Sequence, residues 1–464
     1  MNQTKSNPLG TQPVAGLMVR FAIPSIIAML VSALYNIADQ LFIGQAIGIL
    51  GNAATNIAFP LAMSCTALAL LFGIGGASCF NLTLGRGDPD RAIYYAGNAV
   101  VGLVTGGLLL MLVVELFLKQ ILVAFGSPAD VLPYAASYVR VLAIGFPFLI
   151  LTIGGGHLIR ADGSPRMAML CTLSGAVINI GLDAVFIFGL RMGMTGAALA
   201  TIIGQIFSAM LVIRYMRHYK TVPLKAMHFR PDPACLKMIV SIGAASFTNQ
   251  IAMMIVQVVL NNSLKYYGLL SVYGDSIPIA CAGIGTKCNQ VFFSVVIGLA
   301  QGTQPIESFN YGARQYGRVR AAYRLALTAG FCVSMTSFVL FQLFPRPILS
   351  LFGGGEEAYY RFGASYFRIF LFFTGINCLQ PITSTFFTSI GKAKYGMFLS
   401  LTRQILFLLP LVLILPRFMG ITGILYAGPV ADGAAAVTAV VMARREFGLM
   451  RQKEKSVPLK DALG

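Results

Sequence analysis

Apolar runs of roughly 20 residues or more recur along the whole chain, separated by short polar breaks. Each is long enough to cross about 30 Å of hydrocarbon. Their spacing predicts twelve membrane helices, at about 15–43, 53–83, 92–118, 132–153, 163–188, 195–217, 237–264, 277–305, 316–343, 358–385, 394–415 and 420–443. The eighth and tenth contain proline and polar breaks that can conceal a bend. Composition agrees: 57% of residues are apolar, 11% are charged, and the mean hydropathy is +0.77. The expected fold class is an all-α polytopic membrane protein. No cleavable signal peptide is expected, because the stretch before Leu17 is polar and the first apolar run is too long.

Charge adds an orientation. With both termini on one side, that side collects 25 of the 34 Lys and Arg residues, against nine on the other. Its contributors run from Lys5 and Arg20 through Arg214, Arg217, Lys220 and Lys225 to Lys453, Lys455 and Lys460; Arg403 counts less, since it lies partly within its helix. Cytoplasmic loops hold the excess of Lys and Arg, so both termini are expected in the cytoplasm. The net charge of +18 is then mostly a topology signal, and no basic segment forms a separate domain that would bind nucleic acid.

Several conspicuous features read as packing. Eight cysteines lie mostly within the apolar segments without CxxC spacing, and three histidines assemble no zinc constellation. His157 reads as a helix-end residue. Gly73, Gly75 and Gly76 follow no strand and precede no GK[ST], so close helix packing explains them better than a phosphate loop.

The chain repeats itself at an offset of about 227–228 residues. Met192-Gly-Met-Thr-Gly196 recurs as Met419-Gly-Ile-Thr-Gly423, Tyr138-Val-Arg140 as Tyr366-Phe-Arg368, and the segment from Asp162 to Met169 as Ile390 to Met397. Six helices per half is an even number, so the halves enter the membrane from the same side as parallel repeats. The expected domains are an amino-terminal lobe 1–217, a cytoplasmic linker 218–236 with Pro223, Pro231 and Pro233, a carboxy-terminal lobe 237–447 and a basic tail 448–464. Two lobes with a cleft are the architecture of an alternating-access carrier.

Against that symmetry, two acids stand in one half alone. Asp183 sits in an otherwise uncharged segment from Cys171 to Gly189, and Asp39 in the first predicted helix. A carboxylate at the bilayer centre costs about 2.5–3.5 kcal/mol, so each asks for a purpose. Their repeat counterparts are Leu260 for Asp39 and Pro410 or Leu411 for Asp183, none of which carries charge. Tyr35 with Asp39, Asn179 with Asp183, and Thr201 with Gln205 are i,i+4 pairs that each share a helix face. Converging, they would offer carboxylate, amide and hydroxyl oxygens to one small cation, or two carboxylates that share a proton. Pro24 removes a backbone hydrogen bond from the first helix and allows it to bend.

At these residues the chain resembles the multidrug and toxic compound extrusion (MATE) family, from about Leu17 to Phe447. The carrying motifs are Ile23-Pro-Ser25, Tyr35-Asn-Ile-Ala-Asp39-Gln-Leu-Phe-Ile-Gly44, Gln301-Gly-Thr-Gln-Pro305, Asn310-Tyr-Gly-Ala313, and Asn179 with Asp183. It looks closest to the branch whose cation site lies in the amino-terminal lobe, since the segment from Ser246 to Leu264 lacks the acid of the other large branch. The resemblance implies a coupling site at Asp39, Asn179, Asp183 and Thr201, able to hold Na+ or a proton. It also implies a secondary antiporter, not an enzyme and without a cofactor, that exports amphiphilic, often cationic compounds across the inner membrane of a prokaryote, as a monomer in the lipid bilayer.

Substrate contacts are expected at Tyr35, Asn36, Gln205 and Asp432, the last at the repeat position of Gln205 and within reach of a structural pairing with Arg403. Glu307 stands where a small or apolar residue is expected, and reads as a solvated or arginine-paired acid at a helix end. A lipid-linked saccharide flippase of the same superfamily is the alternative, but it would carry cationic residues in its cavity, and few membrane-embedded Lys or Arg are present. A membrane enzyme would have only His157 with Asp162 to work with.

Overall fold

The computed structural model describes residues 7–125, 127, 131–274, 276–351 and 357–456; Lys5, Lys460 and the tail beyond Ser456 lie outside them. Among the described residues, eleven helices are long and apolar enough to cross a membrane, and one bent pair makes a twelfth span. In chain order they are α1 (Val14–Ile47), α2 (Ala53–Gly85), α3 (Pro89–Leu116), α4 (Leu132–Ile144 bent into Phe146–Ala161), α5 (Pro165–Gly189), α6 (Gly193–Met216), α7 (Pro233–Leu269), α8 (Ile277–Gly312), α9 (Tyr316–Leu343), α10 (Glu357–Ser389), α11 (Ala393–Met419) and α12 (Ile421–Glu454). The predicted count of twelve stands.

The bends differ from expectation. α8 runs unbroken through Pro305, whereas α4 turns by 55° between Ile144 and Phe146. Gly145 and Pro147 cause this: Pro147 has no N–H to continue the ladder of the preceding helix, and its ring clashes with the carbonyl four residues earlier. The segment stays apolar through the elbow, which hides it from hydropathy. α10 is interrupted as expected, by a π turn at Tyr366–Phe370 and a 3-10 stretch at Phe372–Ile376. α1 is continuous through Pro24, where the Ser25 hydroxyl donates to Phe21 O at 2.9 Å.

The repeat is visible in how α2 and α8 cross. A Cβ added to Gly85 would lie 2.1 Å from Phe309 O, and one added to Gly312 would lie 2.2 Å from Leu82 O. These partners are reciprocal, since Gly85 and Gly312, like Leu82 and Phe309, are 227 residues apart. Only glycine allows so close a backbone approach. The same rule applies at Gly75, whose Cβ would meet Ile239 O of α7 at 2.2 Å. Each lobe, α1–α6 or α7–α12, keeps most of its own apolar core, and the lobes meet along α1–α8 and α2–α7.

Those inter-lobe contacts lie toward the end of the bundle that carries the basic loops. There Asn310 Nδ2 donates to Leu9 O at 2.9 Å, and Arg318 donates to Leu9 O and Gln12 O at 3.0 and 2.6 Å. Gln304 Nε2 donates to Ser78 Oγ at 2.9 Å. At the other limit of the seam, amides meet thioethers: Gln301 with Met29 and Gln250 with Met63.

The 218–236 segment is strapped to the amino-terminal lobe. Asp162, in the turn after α4, accepts from Tyr215 Oη, Lys220 N, Thr221 N and Thr221 Oγ1 at 2.5–2.9 Å. Burial raises its carboxyl above the usual range, and these four donors pull it back. Asn98 Oδ1 accepts from Asp232 N at 2.7 Å, and buried His228 accepts from Lys225 N at Nδ1.

Candidate functional site

Asp183 occupies the last α-helical turn of α5, directly before a π turn at Ala184–Gly189. An extra residue in a turn rotates the side chains around it, and such turns recur at functional sites. Asp183 is fully buried, and neither of its carboxylate oxygens receives a hydrogen bond. Asp39 comes in from α1, which packs along α5, and its carboxyl group meets that of Asp183 directly. Asp39 Oδ1 is likewise buried and without a donor.

Two amides extend the arrangement. Asn179, one turn before Asp183, donates through Nδ2 to Thr201 Oγ1 at 3.2 Å, and Thr201 Oγ1 in turn donates to Ala197 O at 3.0 Å. This chain commits the amide N–H, and it leaves Asn179 Oδ1 buried with no donor. Gln205, one turn after Thr201 on α6, presents a buried Oε1 at the elbow of α4, where a Cβ on Gly145 would lie 2.5 Å away; this oxygen too is undonated.

Five buried acceptor oxygens on Asp39, Asn179, Asp183 and Gln205 therefore stand without a proton donor. Buried acceptors are ordinarily paired, and two adjacent carboxylates cannot both stay ionised without a counter-charge. The set fits a hard monovalent cation or a shared proton. No group of three or more His, Cys, Asp or Glu suited to a transition metal is present among the described residues.

One neighbour is not evident from helical spacing. Tyr138, on the first half of α4, is buried within electrostatic reach of Asp39, Tyr35 and Asp183, so that two phenols stand near the acids. Its recurrence as Tyr366 is the signal in the sequence that marks it. Asn36 is not brought in: it is exposed and donates to Ser32 O of its own helix at 2.7 Å. One residue along a helix turns the side chain by about 100°, which takes it off the Tyr35–Asp39 face.

In the carboxy-terminal lobe, Asp432 is buried in α12 and accepts from Arg403 Nε at 2.5 Å. Of the two roles expected for it, the structural pairing with Arg403 is the one present. Glu307 is corrected. It is neither solvated nor paired to arginine, but 2% exposed inside α8, against Ser389 of α10. α8 continues to Gly312, so the position is interior rather than a helix end. His157 is buried facing Gln304, and Asp162 is occupied by the linker, so the two form no reactive pair.

Comparison with known proteins places this geometry in context. The chain is 23% identical over 431 residues to the multidrug export protein MepA of Staphylococcus aureus (strain MRSA252), covering 93% of each. A multidrug resistance MATE family transporter of the MOP superfamily, solved in its outward-facing conformation, superposes with a TM-score of 0.89 at 22% identity, covering 97% of this chain and 99% of that one. A MOP superfamily transporter from Pyrococcus furiosus, whose reversed pocket polarity suggests a different function for it, superposes with a TM-score of 0.88 at 23% identity, covering 97% and 99%. The MatE family model matches residues 24–185 and 250–414, one stretch in each lobe and more than half of the chain, and this protein is a member of the MatE family.

Proposed function

We propose that this protein is a secondary active multidrug exporter, in which a Na+ ion or a proton exchanges against an amphiphilic, often cationic compound. The observation that carries the reading is the set of undonated buried oxygens on Asp39, Asn179 and Asp183, with that of Gln205 on neighbouring α6, all in one lobe of a duplicated fold. Family membership and full-length similarity to a multidrug export protein support it.

The chemistry follows from the site. A bound cation or proton neutralises the paired carboxylates, and its departure restores a negative charge that attracts a cationic substrate. Tyr35, Tyr138 and the oxygens of Gln205 and Thr201 surround that charge with aromatic and polar surface, suited to amphiphiles of varied shape. Substrate and coupling ion then compete for the same acids, and entry of one expels the other. With both termini in the cytoplasm, the end of the lobe seam that carries the basic loops faces inward. The coupling ion, in this reading, is held by Asp39, Asn179, Asp183 and Thr201, and the working unit is a monomer in the inner membrane.

Pro24 supplies the moving part. It leaves Arg20 O without its helical donor, so α1 bends there at lower cost than elsewhere, carrying Tyr35 and Asp39 relative to Asp183. The test is efflux of a cationic fluorescent dye from vesicles under imposed Na+ or proton gradients. Wild type empties under at least one gradient and Asp183→Asn under neither; equal efflux by both contradicts the proposal.

A further inference from the structure

Two positions bordering the coupling site recur in the other lobe, where the acid is already paired. Tyr138 and Tyr366 are 228 residues apart, and Gln205 and Asp432 are 227 apart. Tyr138 lies buried beside Asp39 and Asp183; Tyr366 lies buried beside Asp432 and Arg403, its hydroxyl facing Thr286 of α8. π turns adjoin both places, at Ala184–Gly189 in α5 and at Thr402–Leu408 in α11, the latter containing Arg403 itself. Carboxylate, phenol and hydroxyl thus recur together. The difference is occupancy: the acids of the amino-terminal lobe keep bare oxygens, whereas Asp432 is bound to a guanidinium.

We infer that Arg403 is a built-in cation, which occupies Asp432, the buried acid of the carboxy-terminal lobe, and so confines ion exchange to Asp39 and Asp183. This rests on the ion-coupling reading above. The Asp432 side chain is 4% exposed and that of Arg403 19%, so the acid is buried and its charge is met by a guanidinium that is itself only partly buried. Without it, Asp432 would be a buried carboxylate with no counter-charge, which takes up a proton or a small cation rather than stay bare. Arginine suits the role because it does not deprotonate and its planar fork holds a fixed geometry. Arg403 is in this account a positioning residue for coupling, not a substrate ligand.

The experiment reads ion dependence in proteoliposomes and in purified full-length protein. In wild type the coupling-ion dependence of dye efflux is expected to have a Hill coefficient of one, and Asp183→Asn to abolish it; failure of that pair of results removes the coupling reading itself. Arg403→Gln is expected to raise the Hill coefficient from one towards two, since the coefficient is bounded by the number of sites. Arg403→Lys keeps the cation and stays at one, and Arg403→Gln with Asp432→Asn returns to one. Asp432→Asn alone leaves a half-buried guanidinium unpaired, so its thermal midpoint should rise with sodium chloride over sodium gluconate, where wild type should show no difference. An unchanged Hill coefficient in folded Arg403→Gln overturns the inference. Should that variant not fold, absence of a chloride response in Asp432→Asn overturns it alone.

Discussion

Asp39 of α1 and Asp183 of α5 meet carboxyl to carboxyl inside the amino-terminal lobe, and no protein donor reaches Asp39 Oδ1 or either oxygen of Asp183. Everything functional in this account follows from that contact. Replacing either acid by asparagine removes a like-charge repulsion and supplies an N–H to a neighbouring oxygen. Asp183→Asn and Asp39→Asn are expected to lower gradient-driven efflux by at least about 100-fold while raising the thermal midpoint or leaving it unchanged. Efflux and unfolding of the same preparations check both halves; a variant that merely unfolds contradicts the assignment.

Tyr138 stands beside both acids and Tyr366 occupies the same place in the other lobe. Tyr138→Phe deletes one polar group from the site and should weaken coupling-ion affinity about 10-fold, the loss of one hydrogen bond to a charged group. Tyr366→Phe should leave that affinity unchanged. Ion titrations of dye efflux for the two variants separate them.

How far the sequence reveals this site depends on what each signal measures. Hydropathy finds the spans because length and apolarity are what the bilayer selects. It passes over the α4 elbow, since Gly145, Phe146 and Pro147 are no less apolar than a straight helix. The i,i+4 pairs single out Asp39, Asn179, Asp183 and Thr201 because each pair faces along one stripe of its own helix. Tyr138 escapes that logic: an aromatic residue in an apolar helix looks like packing until the fold brings α4 against α1 and α5. Glu307 misleads because the polar residues after Pro305 resemble a helix end, while α8 in fact runs on to Gly312.

Pro24→Ala restores a donor to Arg20 O in α1. Because proline in a helix interior is about 3 kcal/mol less favourable than alanine, the variant should be as stable as wild type or more so. Its turnover should fall at least about 10-fold, because the bend becomes harder to make. Unimpaired turnover with raised stability would show that α1 moves as a rigid rod.

The seam between the lobes depends on the absence of side chains at its closed end. A Cβ on Gly312 would come within 2.2 Å of Leu82 O, so Gly312→Val should force α2 and α8 apart. Lys392 and Glu446, which pair at 2.5 Å within the carboxy-terminal lobe, should be unaffected. Thiol labelling of a cysteine placed at Ser78, which contacts Gln304 across the seam, should rise several-fold from the basic side in the Gly312→Val background.

His228 ties the inter-lobe segment down while neutral, because its Nδ1 accepts a hydrogen bond from Lys225 N. Burial, with Lys225 nearby, holds its ring below the usual histidine range. The folded value lies below the unfolded one, so its contribution to docking is complete above the ordinary histidine value and lost as pH falls through the lowered value. Limited proteolysis of the 218–236 segment should accelerate on going from about pH 8 to pH 5. Replacement by glutamine, which keeps an acceptor and does not titrate, should flatten that pH dependence.

The most direct measurement is displacement of the coupling ion by substrate in purified protein. Adding a saturating cationic substrate to wild type should release bound 22Na+, or protons into weakly buffered solution, in proportion to the protein present, and release nothing from Asp183→Asn. Substrate binding without ion release from wild type, or equal release from Asp183→Asn, would contradict the claim that Asp39 and Asp183 exchange an ion for the exported compound.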